Sequence, residues 1–189
     1  MYKRFLMALA LCLCILVAAP AAQAGYGDSD PSSTRKEKGF FIGLGAVAGY
    51  ELNELTAFGG GLTGPFGYKI NSRMAVYAQT DIYFTRDQGL NFLITNFVPT
   101  FRYDVYKSFY AYYGFGYALM SASAGASFSG VNVTVNSLFN GFTMEGGAGY
   151  EHYFNDRFSV TPTLGYNYTY VASSHLLVPN LRVNFNYYF

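Results

Sequence analysis

Apolar residues recur at every second position in segment after segment from Gly39 to Phe189, and this constrains the fold more than any other feature. In the first stretch Phe40, Ile42, Leu44, Ala46, Ala48 and Tyr50 share one face, opposite Phe41, Gly43, Gly45, Val47 and Gly49. Near the end, Phe158, Val160, Pro162, Leu164, Tyr166, Tyr168 and Tyr170 alternate with Ser159, Thr161, Thr163, Gly165, Asn167 and Thr169. In the final stretch Leu181, Val183, Phe185, Tyr187 and Phe189 alternate with Asn180, Arg182, Asn184, Asn186 and Tyr188. A strand sends successive side chains to opposite faces, whereas a helix repeats every 3.6 residues, so these segments are strands.

Three short polar turns punctuate the pattern: Asn71-Ser72-Arg73, Tyr106-Lys107-Ser108 and Asn155-Asp156-Arg157. Looser connections fall between them, over 51–56, 86–91, roughly 121–137 and 171–177. Short and long connections in alternation are the pattern of an outer-membrane barrel with periplasmic turns and extracellular loops. Three turns joining four hairpins predict eight strands, over 39–50, 57–70, 74–85, 92–105, 109–120, 138–153, 158–170 and 178–189. The expected fold is all-β, an eight-stranded antiparallel up-and-down transmembrane barrel, in one domain over 39–189.

Alternation alone also fits a soluble barrel with a greasy interior, and here composition decides. Charged residues make up 12% of the chain, against about 25% in an average soluble domain. The face opposite the apolar stripe carries Gly59, Gly61, Thr63, Gly67, Gly114, Gly116, Gly141, Thr143, Gly147 and Gly149. Small residues are poorly used on a solvated surface, but they suit the lumen of an eight-stranded barrel, which side chains just fill. The apolar face therefore points to lipid, and its abundant Tyr and Phe (19 and 18 in the chain) supply interfacial girdles. Beyond residue 20 no apolar run reaches the ~18 residues of a spanning helix. A formal net charge of +1 argues against a nucleic-acid binder or an acidic disordered chain.

The charges inside strands, Lys69, Asp81, Arg102, Asp104, Glu145, Glu151 and Arg182, all fall on the small-residue face. Three cations and four anions in a narrow lumen are costly unless paired. The expectation is a structural ion network that plugs the barrel, with Arg102 and Arg182 paired to some of the four carboxylates. A selectivity lining for a small pore is the alternative. Tyr77, Gln79, Tyr83, Tyr110 and Tyr112 share this face and narrow it further.

The N-terminal segment is separate. Lys3 and Arg4 precede an apolar run from Phe5 to Ala19, Pro20 breaks it, and Ala22-Gln23-Ala24 forms a small-x-small cleavage site. Residues 1–24 are therefore expected to be a cleaved signal peptide. Both cysteines, Cys12 and Cys14, lie within it, so the exported chain would have no disulfide. Residues 25–38, rich in Ser, Asp and Lys, read as a flexible tail.

The closing residues Leu181, Val183, Phe185, Tyr187 and the terminal Phe189 resemble the C-terminal assembly signature of bacterial outer-membrane barrels. With the strand count, the chain is similar to the small OmpA, OmpX and OmpW barrel group over 39–189. The resemblance implies a Gram-negative outer-membrane location and recognition by the barrel-assembly machinery. It also implies contact with outer-membrane lipid and lipopolysaccharide; because the sequence stops at Phe189, a cell-wall tether of the OmpA kind is not expected. It implies no particular activity, because members range from structural anchors to pores and lipid-modifying enzymes.

No catalytic constellation is legible. His152 falls on the lipid-facing parity, and His175 sits in the last predicted loop beside Ser173 and Ser174. Lipid A deacylases place a Ser two residues after the His, where this chain has Leu177. No cluster has metal-ligand spacing, and no glycine-rich loop precedes a helix. The reading is a non-enzymatic monomer without cofactor or nucleic-acid partner, in an envelope-structural or surface-interaction role. A small pore or lateral-diffusion channel for hydrophobic solutes is the alternative, and a lipid A-modifying barrel enzyme the remote one. Two features bear on this choice. Pro65 and Pro99 lie within strands near Gln79, where each removes a ladder donor. In the third loop, Val131, Val133 and Val135 alternate with polar residues, as in strands that outrun the membrane.

Overall fold

The computed structural model describes residues 38–53, 57–87, 90–128 and 131–189, with side chains described for all but 124–128 and 131–135. The expected signal peptide, and the expected tail apart from Lys38, lie outside the described residues. The strands are β1 (Gly39–Tyr50), β2 (Phe58–Lys69), β3 (Met74–Asp87), β4 (Leu90–Tyr106), β5 (Phe109–Phe128), β6 (Val131–Tyr150), β7 (His152–Tyr153), β8 (Phe158–Val171) and β9 (Ser174–Tyr188). β7 is the continuation of β6. Both pair with β8 in one uninterrupted register, Gly149 opposite Thr163 and His152 opposite Val160, on either side of Glu151. Eight strands therefore form the wall, each antiparallel to its neighbours, and β1 pairs with β9 from Phe41↔Tyr188 to Gly49↔Asn180 to close it.

Residue type explains why the wall is inverted relative to a soluble barrel. Polar and charged side chains outnumber apolar ones among the buried described residues, while Leu44, Phe58, Phe115, Phe185 and Phe189 are each more than 60% exposed on the outside. An apolar face of this extent is far larger than a soluble monomer tolerates. In a bilayer it is satisfied, and pairing of β9 back to β1 leaves the wall without an edge strand.

Two of the three tight turns are built alike. The Asn71 Oδ1 accepts from the amides of Arg73 and Met74 at 2.8 and 2.9 Å, and the Asn155 Oδ1 accepts from those of Arg157 and Phe158 at 2.9 and 3.0 Å. These turns and both barrel termini define the lower end. At the upper end three of the four expected loops shrink into strand. β3 and β4 run to Asp87 and from Leu90, and β5 and β6 stay paired as far as Phe128↔Val131. β8 and β9 are joined by Ala172 and Ser173 alone, at φ 52° and 66°. Strand pairing satisfies backbone groups above the rim as cheaply as water does, so polar flanks such as Arg86-Asp87 do not end a strand.

Candidate functional site

The interior is stacked in three layers. Each follows from which residues the inward parity of neighbouring strands brings to one height. All seven charged residues singled out in the sequence are there, none more than 5% exposed.

The lower layer joins the ends of β2, β4 and β6 to β7, β8 and β9. Arg102 pairs through Nε with Asp104 Oδ1 at 2.7 Å and through Nη2 with Glu151 Oε2 at 2.6 Å. Its guanidinium lies 3.8 Å from the centre of the Tyr110 ring. Glu151 also accepts from Ser159 Oγ at 2.7 Å, Tyr153 OH at 2.7 Å and Tyr188 OH. Lys69 Nζ donates to Tyr153 OH at 2.8 Å and so joins the same cluster.

The middle layer centres on Arg182 of β9. Its Nη2 lies 2.6 Å from both Asp81 Oδ2 and Glu145 Oε2, and Nε reaches the same Asp81 oxygen at 3.1 Å. Nη1 donates to Tyr112 OH and Nη2 to Asn167 Oδ1, each at 3.1 Å. The carboxylates are held in turn: Thr63 donates to Asp81 Oδ1 at 2.6 Å, and Thr100 to Glu145 Oε1 at 2.7 Å. Gln79 Nε2 donates to both Thr63 and Asp81. The glycines make this possible. Gly147 and Gly165 face each other across β6 and β8, and a Cβ on either would crowd the Tyr112 hydroxyl.

The upper layer is mainly apolar, with one buried carboxylate beside it: Glu51, which the sequence pattern placed in a loop, accepts from the amides of Asn53 at 2.9 Å and Leu177 at 3.3 Å. Val47, Tyr83, Phe92, Ile94, Met120, Val171, Leu176 and Val178 form one buried cluster. Sequence reasoning missed it, having taken the inward face as small and polar. The signal was present in β4, where Phe92, Leu93 and Ile94 read apolar on both faces near the rim. Two cavities of about 20 Å³ flank the middle layer, each with room for about one water.

His175 belongs to β9, and its Nδ1 shares a hydrogen bond with Tyr168 OH while the ring packs 4.9 Å from Tyr170. His152 stands edge-on to Phe154 at 5.2 Å. Pro65 lies opposite Gln79, and Pro99 opposite Ala78. The interrupted ladders, however, lie on the far sides. The β1–β2 pairing skips Gly43 and Leu44 beside Pro65, and the β4–β5 pairing skips Val98 and Pro99. The two weak points are thus in separate seams rather than on either side of β3.

No family model and no curated protein matches the chain. Solved structures do. The Yersinia pestis attachment invasion locus protein Ail superposes with a TM-score of 0.62 at 12% identity, over 82% of this chain and 100% of that one. The same protein in complex with the heparin analogue sucrose octasulfate gives 0.57 at 13% identity, with the same coverage. Neisserial surface protein A gives 0.57 at 18% identity, over 82% of this chain and 99% of that one. The fold is that of the small eight-stranded outer-membrane barrels.

Proposed function

We propose that this chain is an integral β-barrel of a bacterial outer membrane, non-enzymatic, whose lumen is structural and whose β5–β6 hairpin is its interaction element. The observation that carries this reading is where pairing stops. β4 leaves β5 at Asn91↔Ser123 and β8 leaves β6 at Val171↔Gly141, yet β5 and β6 stay paired to Phe128↔Val131. The hairpin therefore rises above the rim with two free backbone edges. Natural edge strands are usually guarded by charge or proline, and this chain has neither between Ser108 and Met144. Such an edge is suited to strand addition by an extended partner segment. The attachment role named for Ail is consistent with surface recognition on this architecture.

A lateral channel for hydrophobic solutes is the competing reading, favoured by the ladder gap at Pro65. Behind that gap stands a cavity lined by Arg102, Arg182, Asn184 and Asn186, a polar obstruction to an apolar solute. The test compares deletion of 122–136 with the pair Pro65→Ala and Pro99→Ala in cells that carry the protein. Under the interaction reading only the deletion changes adhesion, serum resistance or detergent sensitivity. Loss of hydrophobic-compound uptake in the proline pair alone would establish the channel instead.

A further inference from the structure

Charge balance differs between the two ionic layers. The lower layer sets Arg102 and Lys69 against Asp104 and Glu151, two cations to two anions. The middle layer sets Arg182 alone against Asp81 and Glu145. Within this layer one negative charge is left over among groups at most 5% exposed, with the apolar cluster packed above it; the buried Glu51 carboxylate at the upper end is held separately, by the amides of Asn53 and Leu177. An uncompensated buried charge is among the most expensive features a fold can carry.

Directly above this layer lies a cavity of about 20 Å³ whose polar lining is Asp81, Tyr83, Asn96, Asn167, Thr169 and Asn180. The side-chain oxygens Oδ1 of Asn96 and Asn180 have no hydrogen-bond partner, and these residues are only 5% and 3% exposed. The Asn180 amide nitrogen is already used, donating to Asn167 Oδ1 and to the Val178 carbonyl. No cationic side chain lines this cavity. The lower cavity differs in that both Arg102 and Arg182 line it.

We propose that the upper cavity binds one monovalent cation of sodium size, facing the Asn96 and Asn180 carbonyl oxygens and the Asp81 carboxylate. Three observations converge: a unit of positive charge missing from the middle layer, space for one water-sized particle, and two hard amide oxygens without donors beside a carboxylate whose oxygens are already shared with Arg182, Thr63 and Gln79. A divalent ion is disfavoured, because it would overshoot the charge and calcium requires six to eight oxygens.

The test measures the folding equilibrium of the purified protein in lipid vesicles by urea titration. Sodium chloride is exchanged for choline chloride at constant ionic strength. A cation bound only by the folded state raises the folding constant in proportion to its concentration above Kd, so about a tenfold rise in sodium gives about a tenfold gain. Glu145→Gln removes the surplus charge and should abolish this dependence while leaving the barrel folded. Should that variant fail to assemble, the wild-type sodium dependence decides alone, supported by an anomalous peak in the upper cavity of crystals grown with thallium(I). Equal stability in sodium and choline overturns the proposal. So does stability that ignores sodium but rises on acidification, since a proton on Glu145 would then balance the layer.

Discussion

Replacing Arg182 by Met tests the lumen as the source of stability. The substitution keeps the unbranched stem and removes a guanidinium that makes five contacts of 3.1 Å or less, to Asp81, Glu145, Tyr112 and Asn167. Two carboxylates are then left buried without their counter-charge. Breaking a buried pair on one side costs roughly 3–5 kcal/mol, or about two to nearly four orders of magnitude in the folding equilibrium. Urea titration in vesicles, followed by the heat-modifiable shift on gels, reads this directly. Combining Arg182→Met with Asp81→Asn and Glu145→Gln removes the stranded charges, so the triple variant should recover most of the loss. A loss under about 1 kcal/mol in the single variant, or no recovery in the triple, would refute the account of a charge-locked core.

Two further outcomes follow from local geometry. Gly165→Ala drives a methyl group into the Tyr112 hydroxyl and should cost about 1–3 kcal/mol in the same titration, part of it recovered by Tyr112→Phe in the same chain. The β8–β9 turn holds Ala172 and Ser173 at positive φ, the conformation that two-residue hairpins satisfy best with Asn-Gly. The pair Ala172→Asn and Ser173→Gly should therefore raise stability by about 1 kcal/mol, read as a higher urea midpoint.

Strand number and the two faces of each strand were legible because alternation reports them residue by residue. Phe40 and Leu44 outside, with Phe41 and Val47 inside, need no tertiary information. The turns at Asn71 and Asn155 were legible for a similar reason, since an Asn side chain caps its own turn. The upper strand ends were not. Arg86, Asp87, Ser121 and Ser123 look like loop residues, and Ala172-Ser173 lacks the usual turn signature. Membership of the ion network followed from parity, but its pairings did not. Arg182 meets Asp81 from 101 positions away, a distance set by register and closure of the whole wall. Nor could spacing reveal that Thr63, Thr100, Ser159 and Tyr188 would hold the carboxylates in place.

On the proposed reading the lumen is a packed, charge-locked core and not a conduit. Planar-bilayer recording of the purified protein tests it most directly. The claim predicts a silent membrane for the wild-type barrel, without discrete conductance steps at any holding potential. Stable, ion-selective steps from the wild-type protein would contradict it and make the charges of the lower and middle layers a selectivity lining.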